Sequence, residues 1–132
     1  AKSANGKMIG VDSDQSAVID AEYGKGMTVT SAMKGLAPTV TDTLTAIKNG
    51  KWSDYASKID TLGLISGDDP TKNYVQIPMD TTQWADGKFT QADYKNLVKG
   101  MFDKTVKVSN DISAKEPSAK AVKVNYQGTI LS

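Results

Sequence analysis

Two aspartates one residue apart, Asp12 and Asp14, end the short apolar run in MIGVDSDQS at residues 8–16. One chemistry that suits such a pair is calcium binding. An EF-hand loop counted from Asp12 puts Asp14 and Ser16 at its third and fifth positions. That loop needs glycine sixth and a bidentate glutamate twelfth, where this chain has Ala17 and Tyr23. The other chemistry belongs to the rim of an α/β sheet, where ligands bind outside the carboxyl ends of the strands. Asp12 closes a first apolar run and Lys34 closes a second, MTVTSAMK. If the two runs are parallel neighbours, both side chains reach one rim. A carboxylate there accepts from a vicinal diol such as a ribose, and an ammonium donates to hydroxyl or carbonyl oxygens.

A plainer reading competes with this one. Aspartates after strands cap the turn or helix that follows, and a lysine before a helix is usually solvated. Asp14 suits a cap better than a ligand group. Asp42, Asp54 and Asp60 read as solvated or capping residues, and Asp68-Asp69 lie in a turn without a catalytic partner. Trp52 and Trp84 stand in polar loops, where large aromatics cover a core edge more often than they stack on ligands. Gly24-Lys25-Gly26 reads as a turn, since neither glycine-rich nucleotide fingerprint is completed around it.

Composition narrows the chemistry further. The 132 residues are the size of one domain. Sixteen basic residues, all lysine, face fifteen acidic ones for a net charge of +1. The lysines are dispersed, and without arginine the bidentate fork used on phosphate and guanine is missing, which argues against nucleic acid. Histidine and cysteine are both absent. No histidine-assisted nucleophile, thiolate or imidazole metal site can therefore be assembled, and no disulfide framework exists. Only carboxylate or lysine chemistry would remain to an enzyme, and no paired constellation for it stands out. No metal and no cofactor is expected. No run approaches the roughly 20 apolar residues of a membrane helix. The opening AKSANGK reads like the interior of a protein, so a processed chain or a portion of a longer one is expected.

The elements that must position Asp12 and Lys34 read as follows. Strands are predicted at 7–11, after the Asn5-Gly6 turn, and at 27–33, rich in β-branched residues. A helix follows, with Pro38 suited to its first position, an apolar stripe of Leu36, Val40, Leu44 and Ile47, and a stop at Asn49-Gly50. A third strand is predicted at 59–65 and a fourth at 74–77, separated by the turn cluster SGDDP. The clearest helix starts at Thr90, with Asp93 as capping-box partner and Phe89 and Tyr94 at the staple positions. Its apolar face is Tyr94, Leu97, Val98, Met101 and Phe102. A brief extended piece at 106–108, a polar connector at 113–120 and an alternating strand at 121–126 complete the chain. Strand–helix alternation predicts an α/β fold with a mostly parallel sheet and flanking helices.

Taken in order, IGVDSDQS, TVTSAMKG, AIKNGKW, TLGLIS, FTQADYKNLVKGMFDKTVKVSND and the closing VKVNYQGTI resemble the basic membrane protein family. These are the nucleoside-binding lipoproteins of ABC importers, related to type I periplasmic binding proteins. The resemblance covers essentially the whole chain, and VDSDQ with TSAMK is its most specific part. It implies a partial type I binding-protein fold. Residues 1–65 would be the back half of the C-terminal lobe, in strand–strand–helix–strand order. Residues 66–132 would cross back and complete the N-terminal lobe with a helix and a tail strand. By the same resemblance Asp12 holds the ribose of a nucleoside and Lys34 assists at the same end of the cleft. The chain departs from the family at Asp103-Lys104, where glycine is common, and in its longer, more polar LISGDDPTKNYVQIP loop.

The implied partners are a nucleoside, an ABC permease, and either the preceding part of the same protein or a second copy of this chain, on the outer face of a Gram-positive cell membrane. Two alternatives remain within the same fold: a sugar- or autoinducer-binding protein, and a ligand-sensing domain.

Overall fold

The computed structural model describes residue 3, residues 5–109, and residues 113 and 123. The order of elements is β1 (Met8–Asp12), α1 (Ser16–Tyr23), β2 (Thr28–Lys34), α2 (Leu36–Lys48), β3 (Val75–Gln76) and α3 (Gln91–Phe102). Short 3-10 turns lie at Trp52–Asp54 and Pro70–Lys72. The fold is α/β. Its sheet is mixed, in the order β1-β2-β3, with β1 parallel and β3 antiparallel to β2.

The parallel pair follows from the helix between its strands. A β-strand can be joined to a parallel neighbour only by a crossover, and α1 is that crossover. The sequence pattern does not single α1 out. SAVIDAEY buries only Ile19 and has no side-chain hydrogen bond at its Gln15 cap, so both periodicity and capping are weak there. The turn leaving α1 is fixed by Asp20 instead. Its carboxylate accepts from the N–H of Gly26 (2.7 Å), the N–H of Thr28 (2.9 Å) and the Thr28 hydroxyl (2.8 Å).

The strand predicted at 59–65 is not one. Ile59 is fully exposed. The N–H groups of Ile65 and Ser66 go to the side chain of Asn73 (2.7 and 2.8 Å) rather than to a neighbouring strand. A buried side chain has taken the hydrogen bonds that a ladder would have used. The fourth predicted strand shortens to β3, which pairs Val75 with Lys34 and Gln76 with Met33. The piece at 106–108 is irregular. The connector at 113–120 and the strand at 121–126 lie outside the described residues, apart from Ser113 and Lys123.

Residues before and after position 65 are joined at several points. Besides the β2–β3 pairing, Gln83 donates its backbone N–H to the carbonyl of Val29 (2.7 Å) and its side-chain amide to that of Thr28 (2.6 Å). Among the described residues the buried apolar side chains are few: Ile19, Met27, Ala46, Pro70 and Val98. No helix among them is long and apolar enough to cross a membrane.

Candidate functional site

The two glycine-bearing motifs that carry the resemblance clasp one another. Gly10 in β1 lies under Ser31 of β2 so closely that a Cβ there would sit 2.5 Å from the Ser31 hydroxyl and 2.9 Å from the Gln15 side chain. Ser31 is fully buried, and its hydroxyl accepts the N–H of Gln15 (3.1 Å). Gln15 in turn accepts the N–H of Val11 on its side-chain oxygen (3.0 Å). The VDSDQ loop is thus sewn both to its own strand and to TSAMK. Gly35, at the other motif's end, makes a similar approach. A Cβ there would stand 2.8 Å from the backbone of Tyr74, and its N–H donates to the Tyr74 carbonyl (2.7 Å).

This clasp delivers Asp12 and Lys34 to the same rim. In the parallel register Asp12 lies opposite Met33, one residue short of Lys34. The Lys34 ammonium is 2.7 Å from Asp12 Oδ1. Both side chains remain open to water, at 57% exposure for Asp12 and 68% for Lys34. So exposed a pair contributes at most about 1 kcal/mol to stability. Among the described residues Asp12 Oδ2 accepts no hydrogen bond, so half of the carboxylate is free to accept another donor.

The backbone of Asp12 is left-handed, with φ of +74°. For an L-residue other than glycine that region is strained, and aspartate and asparagine tolerate it best. Such outliers concentrate at ligand sites, although one does not establish a site alone. Nothing in the sequence pattern announces this conformation.

The neighbouring aspartates take structural roles. Asp14 accepts the N–H of Ser16 (3.0 Å) and the Thr81 hydroxyl (2.7 Å), so it caps the entry to α1 and ties in a distant loop. Partial burial pushes its carboxyl up, but the hydrogen bonds from Ser16 and Thr81 outweigh that and hold it below the usual carboxylate range. Asp42 accepts from the Tyr74 hydroxyl, joining α2 to the residue before β3. Asp69 caps the Pro70–Lys72 turn, and Asp68 is 3.8 Å from Lys99. Trp84 donates to the Met79 carbonyl (3.2 Å) and its ring centroid lies 5.9 Å from that of Tyr94, a packing role. Trp52 is half exposed in its 3-10 turn. Among the described residues no three acidic side chains converge to hold a metal ion.

Sequence reasoning missed Gln15 and Asn73, which fix turns beside the rim, and Asp20, which fixes the turn entering β2 at the other end of the sheet. Single polar residues with no repeating spacing leave no periodic signal. Gln15 lies inside the very motif that drew attention to Asp12, and only its contacts show what it does. No family model, curated protein or solved structure matches this chain.

Proposed function

We propose that this chain belongs to the substrate-binding component of an ABC importer and takes part in capturing nucleosides, with Asp12 and Lys34 at the ribose end of the site. The protein is then a carrier and not an enzyme, acting at the outer face of the cell membrane and handing its ligand to a permease. The observation that supports this reading is the 2.7 Å meeting of Asp12 and Lys34 at the carboxyl ends of two parallel strands. A vicinal diol would donate to both carboxylate oxygens, and the Lys34 ammonium, freed from Oδ1, would turn to a ring or hydroxyl oxygen of the ligand. The sheet holds both groups in place before binding, so little ordering remains to be done when the ligand arrives.

Calorimetric titration of inosine, guanosine, cytidine and ribose into the intact protein tests this. Nucleosides should bind, and Asp12→Ala should weaken them by at least about 2 kcal/mol, roughly thirtyfold in Kd, the scale of losing a charged acceptor to a bound hydroxyl. Lys34→Ala should weaken them less. An unchanged Kd in the Asp12 variant removes Asp12 from the site. Ribose binding as tightly as inosine would make the ligand a sugar.

A further inference from the structure

A second feature lies away from the rim pair. Between the sheet and α3 runs an open groove of about 1040 Å³, walled by Ala32 and Val75 on one side and Val98 and Phe102 on the other. Among the described residues its lining is almost wholly apolar and includes no acidic side chain. Two lysines line it, Lys104 and Lys107, both at the end where the chain leaves α3.

Their placement is built by the turn that closes the helix. Lys104 is left-handed, with φ of +61°, and donates its N–H to the Met101 carbonyl (3.2 Å). Val106 donates to the Gly100 carbonyl (3.0 Å), and the Thr105 hydroxyl reaches the same oxygen (3.0 Å). The carbonyls of Lys99, Gly100 and Met101 are therefore satisfied internally, and Lys104 and Lys107 are the charged residues of the described lining. Lys99, one turn back, is already neutralised by Asp103 (3.1 Å) and Asp68 (3.8 Å). Among the described residues neither Lys104 nor Lys107 has an ion-pair partner.

We infer that this groove binds a single-chain amphiphile with an anionic head, a long-chain carboxylate in its simplest form. The alkyl chain lies along the apolar walls and the carboxylate reaches Lys104 and Lys107. An apolar cleft with a few convergent polar groups at one end is the usual build of a small-molecule site. The sign of those groups selects an anion over a cation or a neutral head. This site is independent of the Asp12–Lys34 rim and stands or falls apart from it.

Trp84 supplies a reporter, because its ring lies against Tyr94, which also lines the groove. The experiment titrates the full chain with dodecanoate, dodecyl maltoside and dodecyltrimethylammonium, all below their micelle thresholds, by tryptophan fluorescence and calorimetry. Dodecanoate should bind at least about tenfold more tightly than the maltoside, the scale of one charge-assisted contact. In the double variant Lys104→Gln, Lys107→Gln that advantage should vanish while maltoside affinity stays the same, which also shows the groove intact. Equal binding of all three heads, or an advantage that survives in the double variant, overturns the inference. So does an absence of binding by any of them, which would mean that the groove is filled from within the protein. Sedimentation with anionic vesicles but no binding of free dodecanoate would overturn it in favour of a membrane surface.

Discussion

The two edges of the sheet are secured in different ways. At the β1–β2 edge the work is shared: Gln15 and Ser31 hold the loop after β1, and Asp20 holds the turn before β2. At the β3 edge it is concentrated in Asn73. That fully buried side chain accepts the N–H groups of Ile65 and Ser66 and donates to the Ser66 carbonyl (3.0 Å), while its backbone carbonyl accepts from Gln76 (2.8 Å). A shared arrangement degrades by steps when one member is lost. A concentrated one fails together, because removing the side chain takes the partner from several part-buried backbone groups at once.

The largest predicted effect breaks the comparison at its concentrated end. Asn73→Ala leaves two backbone donors and one acceptor unpartnered, and should lower stability by about 3 kcal/mol in urea unfolding. Asn73→Asp keeps the acceptors but sets a carboxylate oxygen against the Ser66 carbonyl, so it should not restore the loss. The damage should reach the rim as well, since the Asn73 carbonyl and the Tyr74 backbone lie against Gly35, next to Lys34. A loss below about 0.5 kcal/mol, the size of an ordinary surface substitution, would show that the 63–74 loop does not depend on this residue.

Next comes a probe of the distributed edge. The Asp20 carboxyl lies below its usual range because the N–H groups of Gly26 and Thr28 and the Thr28 hydroxyl donate to its charged form. A carboxyl depressed on folding stabilises the protein above its unfolded value, near pH 4, and that contribution is lost as pH falls through the folded value. Asp20→Asn should therefore be less stable than the parent at pH 7, by less than Asn73→Ala is. The gap should shrink steadily below about pH 4. Thermal melts of both proteins from pH 7 to pH 2 check the sign; a gap that stays constant with pH would show that the charge on Asp20 plays no part.

How much of this was legible in the sequence is best seen in the two amphipathic helices. In α3 the capping box forms between Thr90 and Asp93. Of the expected apolar face Val98 is only 1% exposed and Tyr94 and Met101 are half-buried, while Leu97 (39%) and Phe102 (43%) stay exposed. In α2 the stop at Asn49-Gly50 holds, but Leu36, Val40 and Leu44 are all nearly 60% exposed. The residue α2 buries is Ala46, with Thr39 and Thr43 half-buried and their hydroxyls bonded back to the carbonyls of Gly35 and Thr39. Periodicity reports that an apolar face exists and says nothing about what covers it. The same limit explains the strand missing at 59–65, where β-like residue types were outweighed by one asparagine eight residues away. Asp12 and Lys34 were legible because each ends an apolar run. The left-handed backbone beneath Asp12 was not, because aspartate is common in turns of every kind.

The smallest predicted effects sharpen the comparison at the rim itself, where backbone and charge can be separated. With φ of +74° at residue 12, Asp12→Ala should cost about 1 kcal/mol through strain alone. Asp12→Asn shares the tolerance of aspartate for this region and gives up only an exposed ion pair, so it should stay within about 0.5 kcal/mol of the parent. Asp12→Gly relieves the strain but loses more chain entropy on folding, and should fall near the asparagine variant. Alanine as stable as asparagine would show that the left-handed turn is not maintained in solution. If the predicted order holds, the asparagine variant keeps the fold while removing the carboxylate. Its nucleoside titration then reads the chemistry of the site free of any contribution from the backbone.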